Sequence, residues 1–369
     1  MNEKKILHVT YGFNGGGVGV VIVNYCATRP MEGLSFSIVG EGNGRPQMLH
    51  DRLTDGGFDV FYIPPKGKGL KANIAAFNQL LDRVKPDAIH VHMEEWNFLY
   101  LYLAKKKGIK VRISHAHVAH ASWSTKPHYA LFRHWLNRFA THRLAVSRDS
   151  GDYLYGKHPY TILNNAIDAA AYRFDPVVRE EMRQQLGLTN GEFLVCDVGR
   201  LTASKDPLRM LEIFQHIHAK REDARLILVG IGELHQEVKE RIQELGLEGT
   251  VSLLGQRHDV PRLLQAADAF VLPTHFEGLG IVYVEAQAAG LHSFATQDVV
   301  PQEATMDESL MHYLPLDAPS ETWAEAVLQY ADAPRRDTSH IIREKGYDLS
   351  TEIQSLETFY HNAFNEANS

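Results

Sequence analysis

The sequence predicts an α/β protein of two Rossmann-like, doubly wound halves facing a central cleft. Three observations point there. The chain has 369 residues, more than one ordinary core holds and suited to two domains. Short β-forming runs alternate with segments of helical period along most of its length, the pattern of parallel sheets covered on both faces. The alternation pauses at Leu163-Asn164-Asn165-Ala166-Ile167-Asp168, where turn-forming asparagines close the first half, and then starts afresh.

In the first half, residues 5–10 form a β run ending in a glycine loop, and 18–26 follow with helical spacing. Residues 36–39 and 60–63 read as strands, 73–84 as an amphipathic helix stopped before Pro86, 88–92 as a strand and 99–107 as a helix. Strand 110–115, helix 131–140 and strand 143–147 complete that half. The second half opens with helix 177–186, ended by Gly187, and strand 193–198 leading into Gly199-Arg200. Helices 207–219, 234–245 and 260–266 then alternate with strands 225–229, 251–254 and 269–272, and helix 282–289 lies beyond a glycine loop. At the end, residues 349–367 are helical, with Ile353, Leu356, Phe359, Tyr360, Ala363 and Phe364 on one face that needs a surface to bury against. The expected division is 1–170, 171–345, and a terminal segment 346–369 that crosses back onto the first domain.

Composition narrows the class. Hydrophobic residues make up 44% and charged residues 22%, as in globular proteins. No apolar run is long enough for a membrane span, and the N-terminal Met1-Asn2-Glu3-Lys4-Lys5 leads into a strand and not a signal peptide. Two distant cysteines, Cys26 and Cys196, exclude a disulfide framework and a cysteine zinc site and fit a reducing cytoplasm. The net charge of −7 hides an asymmetry: residues 1–170 hold 21 Lys and Arg against 13 Asp and Glu, the remainder 17 against 32. Cations recur at Lys66, Lys68 and Lys71, at Lys105-Lys106-Lys107, and at Lys126, Arg133, Arg138, Arg143 and Arg148. They are either solvated faces or a surface for anionic lipid headgroups, on the inner face of the cell membrane, or for a lipid-linked phosphate. No zinc-finger, basic-zipper or RNA-recognition signature is present, so nucleic acid is not expected.

Three loops carry the chemistry. Gly15-Gly16-Gly17-Val18-Gly19 joins the first strand to a helix, where glycines admit a ligand to the backbone and helix amides favour an anion. It is neither a Walker A loop nor a dinucleotide fingerprint. Gly199-Arg200 and Lys205 occupy another strand-to-helix loop, at the sheet edge where α/β proteins bind ligands, and two cations there suit a diphosphate. The third loop, running from Pro273 through Glu277, Gly278, Leu279 and Gly280 to Glu285, is the most specific. It places two carboxylates on either side of a helix N-terminus, where they can accept hydrogen bonds from sugar or ribose hydroxyls while the amides meet phosphate. His90-x-His92 and His115-x-His117 each put two rings on one face of a strand end. No acidic or cysteine partner is placed with them, so no metal is expected.

On these motifs, together with Arg112-Ile113-Ser114-His115-Ala116-His117 and Ala145-Val146-Ser147, the chain resembles the retaining glycosyltransferases of family 4, which have the GT-B fold, and bacterial exopolysaccharide and capsule enzymes in particular. The resemblance implies that Arg200 and Lys205 neutralise a nucleotide-sugar diphosphate. Glu285 would hold the ribose, Glu277 the donor sugar near its 3- and 4-hydroxyls, and the amides of Leu279 and Gly280 the distal phosphate. Gly16 and Gly17 would approach that phosphate from the other domain, and the backbone of Arg257 would frame the base. One histidine would face the donor sugar, His117 in preference to His115. Gly19, Gly280 and His292 depart from the family pattern, and Gly280 reads as loosening the phosphate loop. No Asp-x-Asp occurs, so fixed cations would replace a divalent metal on the leaving group and no cofactor is expected. The implied reaction moves a hexose or N-acetylhexosamine, with UDP the favoured carrier, to a saccharide or lipid-linked acceptor. A sugar-nucleotide 2-epimerase and a non-catalytic sugar-nucleotide-binding partner protein are the alternatives.

Overall fold

The computed structural model describes residues 3–13, 17–42, 49–118, 128–189 and 191–368. The chain divides into two compact units, residues 1–167 with 349–369, and residues 168–348.

The first unit is built on a seven-stranded sheet in the order β3-β2-β1-β4-β5-β6-β7. Its strands are β1 (Lys4–Thr10), β2 (Leu34–Glu41), β3 (Asp59–Ile63), β4 (Ala88–His92), β5 (Val111–Ala116), β6 (His142–Ala145) and β7 (Thr161–Ile162), and every pairing is parallel. The central strands are buried on both faces, their apolar residues interrupted by the buried His8, His90 and His92. One apolar cluster fills each side of this sheet. The C-terminal helix Leu349–Asn368 supplies Ile353, Leu356, Tyr360, Ala363 and Phe364 to one of them, alongside Ile6, Phe36 and Ile38.

The second unit repeats the arrangement with β8 (Phe193–Val198), β9 (Ala224–Val229), β10 (Val251–Gly255), β11 (Ala269–Leu272), β12 (His292–Thr296) and β13 (Met311–Leu314). The order is β10-β9-β8-β11-β12-β13, again all parallel. Its helices start where the sequence offers caps. Asp175 and Asp206 each precede a proline at the first turn and accept from a backbone N–H with their carboxylates.

Several elements differ from the sequence expectation. The helix after β1 runs Gly17–Ile22 and then widens into a π-turn, Val23–Ala27, which buries Tyr25 and Cys26. Strands β12 and β13 and the helix Ser320–Leu328 carry no sequence expectation at all. His292-Ser293-Phe294-Ala295-Thr296 and Met311-His312-Tyr313-Leu314 mix polar and apolar residues over five and four positions, too short for any period to stand out.

Candidate functional sites at the two sheet switch points

Each sheet reverses direction once, between β1 and β4 in the first unit and between β8 and β11 in the second. The loops leaving those strands border the crevice where doubly wound sheets take ligands.

In the second unit, the loops after β8 and β11 are laced together. Thr274 donates its hydroxyl to the Ser204 carbonyl at 2.8 Å and the His275 N–H donates to the same oxygen at 2.8 Å. His275 Nε2 lies 2.7 Å from Asp206 Oδ2, and Lys205 forms an ion pair with Glu277 in which both side chains are mostly buried. Lys205 and Glu277, each singled out in the sequence for a different part of the donor, thus meet in space. Arg200 is exposed on the same loop and has no side-chain partner among the described residues. Beneath them, the Asp197 carboxyl is pushed up to about 8 by burial, with Lys205 pulling the other way. Asp197 was not legible as a functional residue because it lies inside β8, among Val195, Cys196 and Val198.

Glu285 sits on the helix Ile281–Ala288. Burial raises its pKa to about 7 against a hydrogen bond from Tyr172, which favours the ionised form. Gly280 is the residue before that helix, with φ +76° and ψ +55°. A Cβ there would come within 2.7 Å of Tyr283 Cδ2, and Tyr283 is held by its hydroxyl on the Leu272 carbonyl at 2.7 Å. Gly280 is therefore required by a left-handed turn that proline cannot adopt; it does not loosen the loop. Gly278 is half-buried and Leu279 buried in this turn. Gly230 serves the neighbouring loop: at φ +147° it lets the chain pass so close that a side chain would collide with the Gly199 carbonyl. The Arg257 guanidinium grips Asp259 through two hydrogen bonds of 2.8 and 2.6 Å.

In the first unit, Gly16 lies outside the described residues, and Gly17 opens the helix after β1. Gly19 is buried in that helix, where a Cβ would lie 2.9 Å from Leu49 Cδ1. The histidines gather into one network that sequence spacing only half revealed. His8 pairs with His90 across the β1–β4 ladder, and the rings of His90 and His92, and of His115 and His117, lie 4.2 Å apart between centroids. His117 Nε2 meets His92 Nδ1 at 2.9 Å, and His92 Nε2 meets His8 Nδ1 at 3.0 Å. His8 Nε2 lies 3.4 Å from the Tyr360 hydroxyl, which in turn meets His90 Nδ1 at 2.7 Å. His90 Nε2 meets His115 Nδ1 at 3.2 Å. Burial holds all five imidazoles below their ordinary range, His8 and His117 at about 3. They form a neutral chain in which each ring uses one nitrogen toward each neighbour. Beside it, Glu94 accepts the His117 N–H at 2.9 Å, and burial raises its carboxyl to about 8.

The basic surface expected of this unit loses some members. Lys66 pairs with Glu41, its side chain is 9% exposed, and its ammonium lies over the rings of Tyr11, Trp96 and Tyr100 at 4.8, 5.3 and 5.6 Å. Arg143 turns inward to Asn137, and Lys126 lies outside the described residues. Lys68, Lys71, Lys105, Lys106, Arg138 and Arg148 are exposed.

Two all-parallel sheets of this order, each with polar loops at its switch point, define a protein of the GT-B class. The chain superposes on HepE of Anabaena, solved in complex with UDP and glucose, with a TM-score of 0.79 at 20% identity, covering 97% of this chain and 100% of that one. The family model "Glycosyltransferase Family 4" matches residues 15–171, and "Glycosyl transferases group 1" matches residues 178–348. A Bacillus subtilis protein named as a glycosyltransferase, EpsF, is 25% identical over 98% of this chain and 97% of its own. An Escherichia coli enzyme named UDP-Gal:alpha-D-GlcNAc-diphosphoundecaprenol alpha-1,3-galactosyltransferase is 27% identical over 79% of this chain and 78% of its own. The chain belongs to the glycosyltransferases.

Proposed function

We propose that this glycosyltransferase moves a hexose or N-acetylhexosamine from a UDP-sugar to a saccharide or lipid-linked acceptor in cell-surface polysaccharide synthesis, with retention at the anomeric carbon and without a metal. The observation that carries the reading is the joined pair of loops in the second unit. Lys205 and Glu277 are bound to each other there, with Arg200 exposed alongside and Glu285 on the helix that follows. Arg200 and Lys205 would neutralise the diphosphate and stabilise the leaving group, each such fixed contact being worth about 3–4 kcal/mol of barrier. Glu277 would turn from Lys205 to the sugar hydroxyls, Glu285 would take the ribose, and the Leu279 and Gly280 amides the distal phosphate. His117, held by its bond to His92, is the imidazole assigned to the donor sugar, with His115 behind it. The Arg257 backbone would frame the base. UDP is favoured because HepE was solved with it and the Escherichia coli relative is named for it.

A thermal-shift screen of UDP-, GDP- and ADP-sugars without metal tests the donor. A carrier at 100 times its dissociation constant adds about 2.7 kcal/mol of stability. Stabilisation by a GDP- or ADP-sugar in place of UDP-sugars would reassign the base, and no stabilisation by any would defeat the reading.

The same proposal includes reversible contact with an anionic membrane through the first unit. The helix His128–Phe139 exposes Leu131 and Trp135 one turn apart. Trp135 stacks on Phe139, next to Tyr102, with Lys105 and Lys106 over those rings. Apolar side chains beside cations suit an interfacial surface. Among the described residues no helix is long and apolar enough to cross a membrane. Sedimentation with phosphatidylglycerol vesicles at low salt should carry the protein down and high salt should release it. Equal, negligible binding to neutral and anionic vesicles would remove the membrane from the proposal.

A further inference from the structure

We propose that His92, His115 and His117 bind one zinc-class transition-metal ion at the switch point of the first unit when no donor is bound, the ion taking the His117 ring that the proposed function gives to the donor sugar. One ring nitrogen from each of the three can be chosen so that all lie within 4.8 Å of one another. His92 ends β4, His115 lies in β5 and His117 directly follows it, so two of the rings stand on rigid strands. His92 and His115 are buried, while His117 is partly exposed and gives an ion a way in.

The observation that singles out this trio is an unpartnered ring nitrogen. His115 Nε2 is buried and has no hydrogen-bond partner, a vacancy that ordinarily costs about 1–3 kcal/mol. Its other nitrogen, Nδ1, is already held by His90 Nε2 at 3.2 Å. His92 has both nitrogens engaged: Nε2 is held by His8 at 3.0 Å, and Nδ1 bonds His117 Nε2 at 2.9 Å, a bond that both rings would give up to face the ion. Metal-bound histidines are commonly oriented through the nitrogen that does not touch the metal, and here His8 and His90 do this, themselves tied to Tyr360. A second compact trio, His8, His90 and His92, lacks such a vacancy, since each of its ring nitrogens already faces a partner. Glu94 adds a further sign. It bonds the His117 N–H through Oε1, while its buried Oε2 has no partner, and it is held at φ +50°, an uncommon conformation for a residue other than glycine. An adjacent cation would give that oxygen a counter-charge.

Three imidazoles with an open fourth position suit Zn2+, at Zn–N distances of about 2.0–2.1 Å, far better than Mg2+ or Ca2+, which prefer oxygen donors. The full-length chain, stripped with EDTA and desalted, is titrated with Zn2+ by calorimetry and with Co2+ by visible absorption. One ion per chain is expected, with the intense absorption of tetrahedral cobalt and no competition from Mg2+. His117→Ala, at a partly exposed position, should keep the circular dichroism of the parent and weaken Zn2+ binding by more than the roughly 10–100-fold that loss of an outer partner costs. His115→Phe should abolish binding. His292→Ala, which breaks the His292–His312 pair of the second unit, should leave it unchanged. No saturable Zn2+ binding, full affinity in folded His117→Ala, or loss of binding in His292→Ala instead would each overturn the proposal.

Discussion

The two switch points sit at the same place in two sheets of the same central strand order, yet their chemistry is opposite. In the first unit, the side chains at β1, β4 and β5 are neutral rings in a hydrogen-bonded chain. In the second, the loops after β8 and β11 carry charge, with Lys205 on Glu277, Asp206 on His275, and Arg200 left unpaired among the described residues. Topology chose the location in both; the side chains chose what each can bind. A charged site can steady a leaving diphosphate, while a neutral one can orient a ring or hold a soft cation.

The sharpest test of this contrast removes the fixed charges. Arg200→Ala and Lys205→Ala should each lower turnover by about 100–1,000-fold; the melting temperature should change little for exposed Arg200→Ala, and fall for Lys205→Ala, which leaves the mostly buried Glu277 carboxylate unpaired. Near-normal turnover in both would erase the functional difference between the regions. Removing the left-handed turn should act on the fold instead. Gly280→Ala forces φ +76° on a side chain facing Tyr283 and should cost about 1–3 kcal/mol in urea unfolding. An unchanged midpoint would show that the turn relaxes freely.

On the neutral side, Tyr360→Phe strips the hydroxyl between His8 and His90. It should cost about 1–3 kcal/mol through unpaired buried nitrogens, and unchanged unfolding would mean the chain of rings is held by packing alone. A smaller effect is expected from pH. The Glu285 carboxyl titrates near 7 in the folded protein, and it accepts ribose hydrogen bonds best when ionised. Donor affinity should therefore fall as pH drops below about 7, approaching tenfold per pH unit. Glu285→Gln should flatten that slope. The sign for stability is opposite to that of an ordinary salt-bridged carboxylate. Asp197, raised to about 8, binds its proton more tightly folded than unfolded. Its contribution is full below the unfolded value near 4 and is lost as pH rises toward 8, at up to ~1.4 kcal/mol per pH unit. Asp197→Asn should remove that decline in a set of melts across this range. The smallest expected effect is none: EDTA should leave turnover intact, and complete loss restored by magnesium or manganese would place a metal on the diphosphate.

The charged region was legible in the sequence because its residues lie in short strings beside glycines at strand ends. Arg200, Lys205, Glu277 and Glu285 all fall within two such loops and the helix that follows the second. What escaped were contacts that close over distance. Tyr172 reaches Glu285 from another helix, and Thr274 meets Ser204 across 70 positions. Lys66 looked like one lysine of a surface run because nothing local shows that Tyr11, Trp96 and Tyr100 converge on it. The histidine spacing gave a shared face for each pair, but the links through His8 and Tyr360 come from β1 and the last helix. The parallel, doubly wound arrangement followed from alternation, while β12 and β13 were hidden by their brevity.

The C-terminal helix also sets a timetable. Residues 349–368 complete a core whose other members all lie before residue 168. At about 5–20 residues per second, that helix is made roughly 10–40 s after residue 167. Until then the nascent first unit shows an uncovered apolar face around Ile6, Phe36 and Ile38, and His8 and His90 wait for their tyrosine. On the ribosome, the unit encoded first is therefore the one finished last.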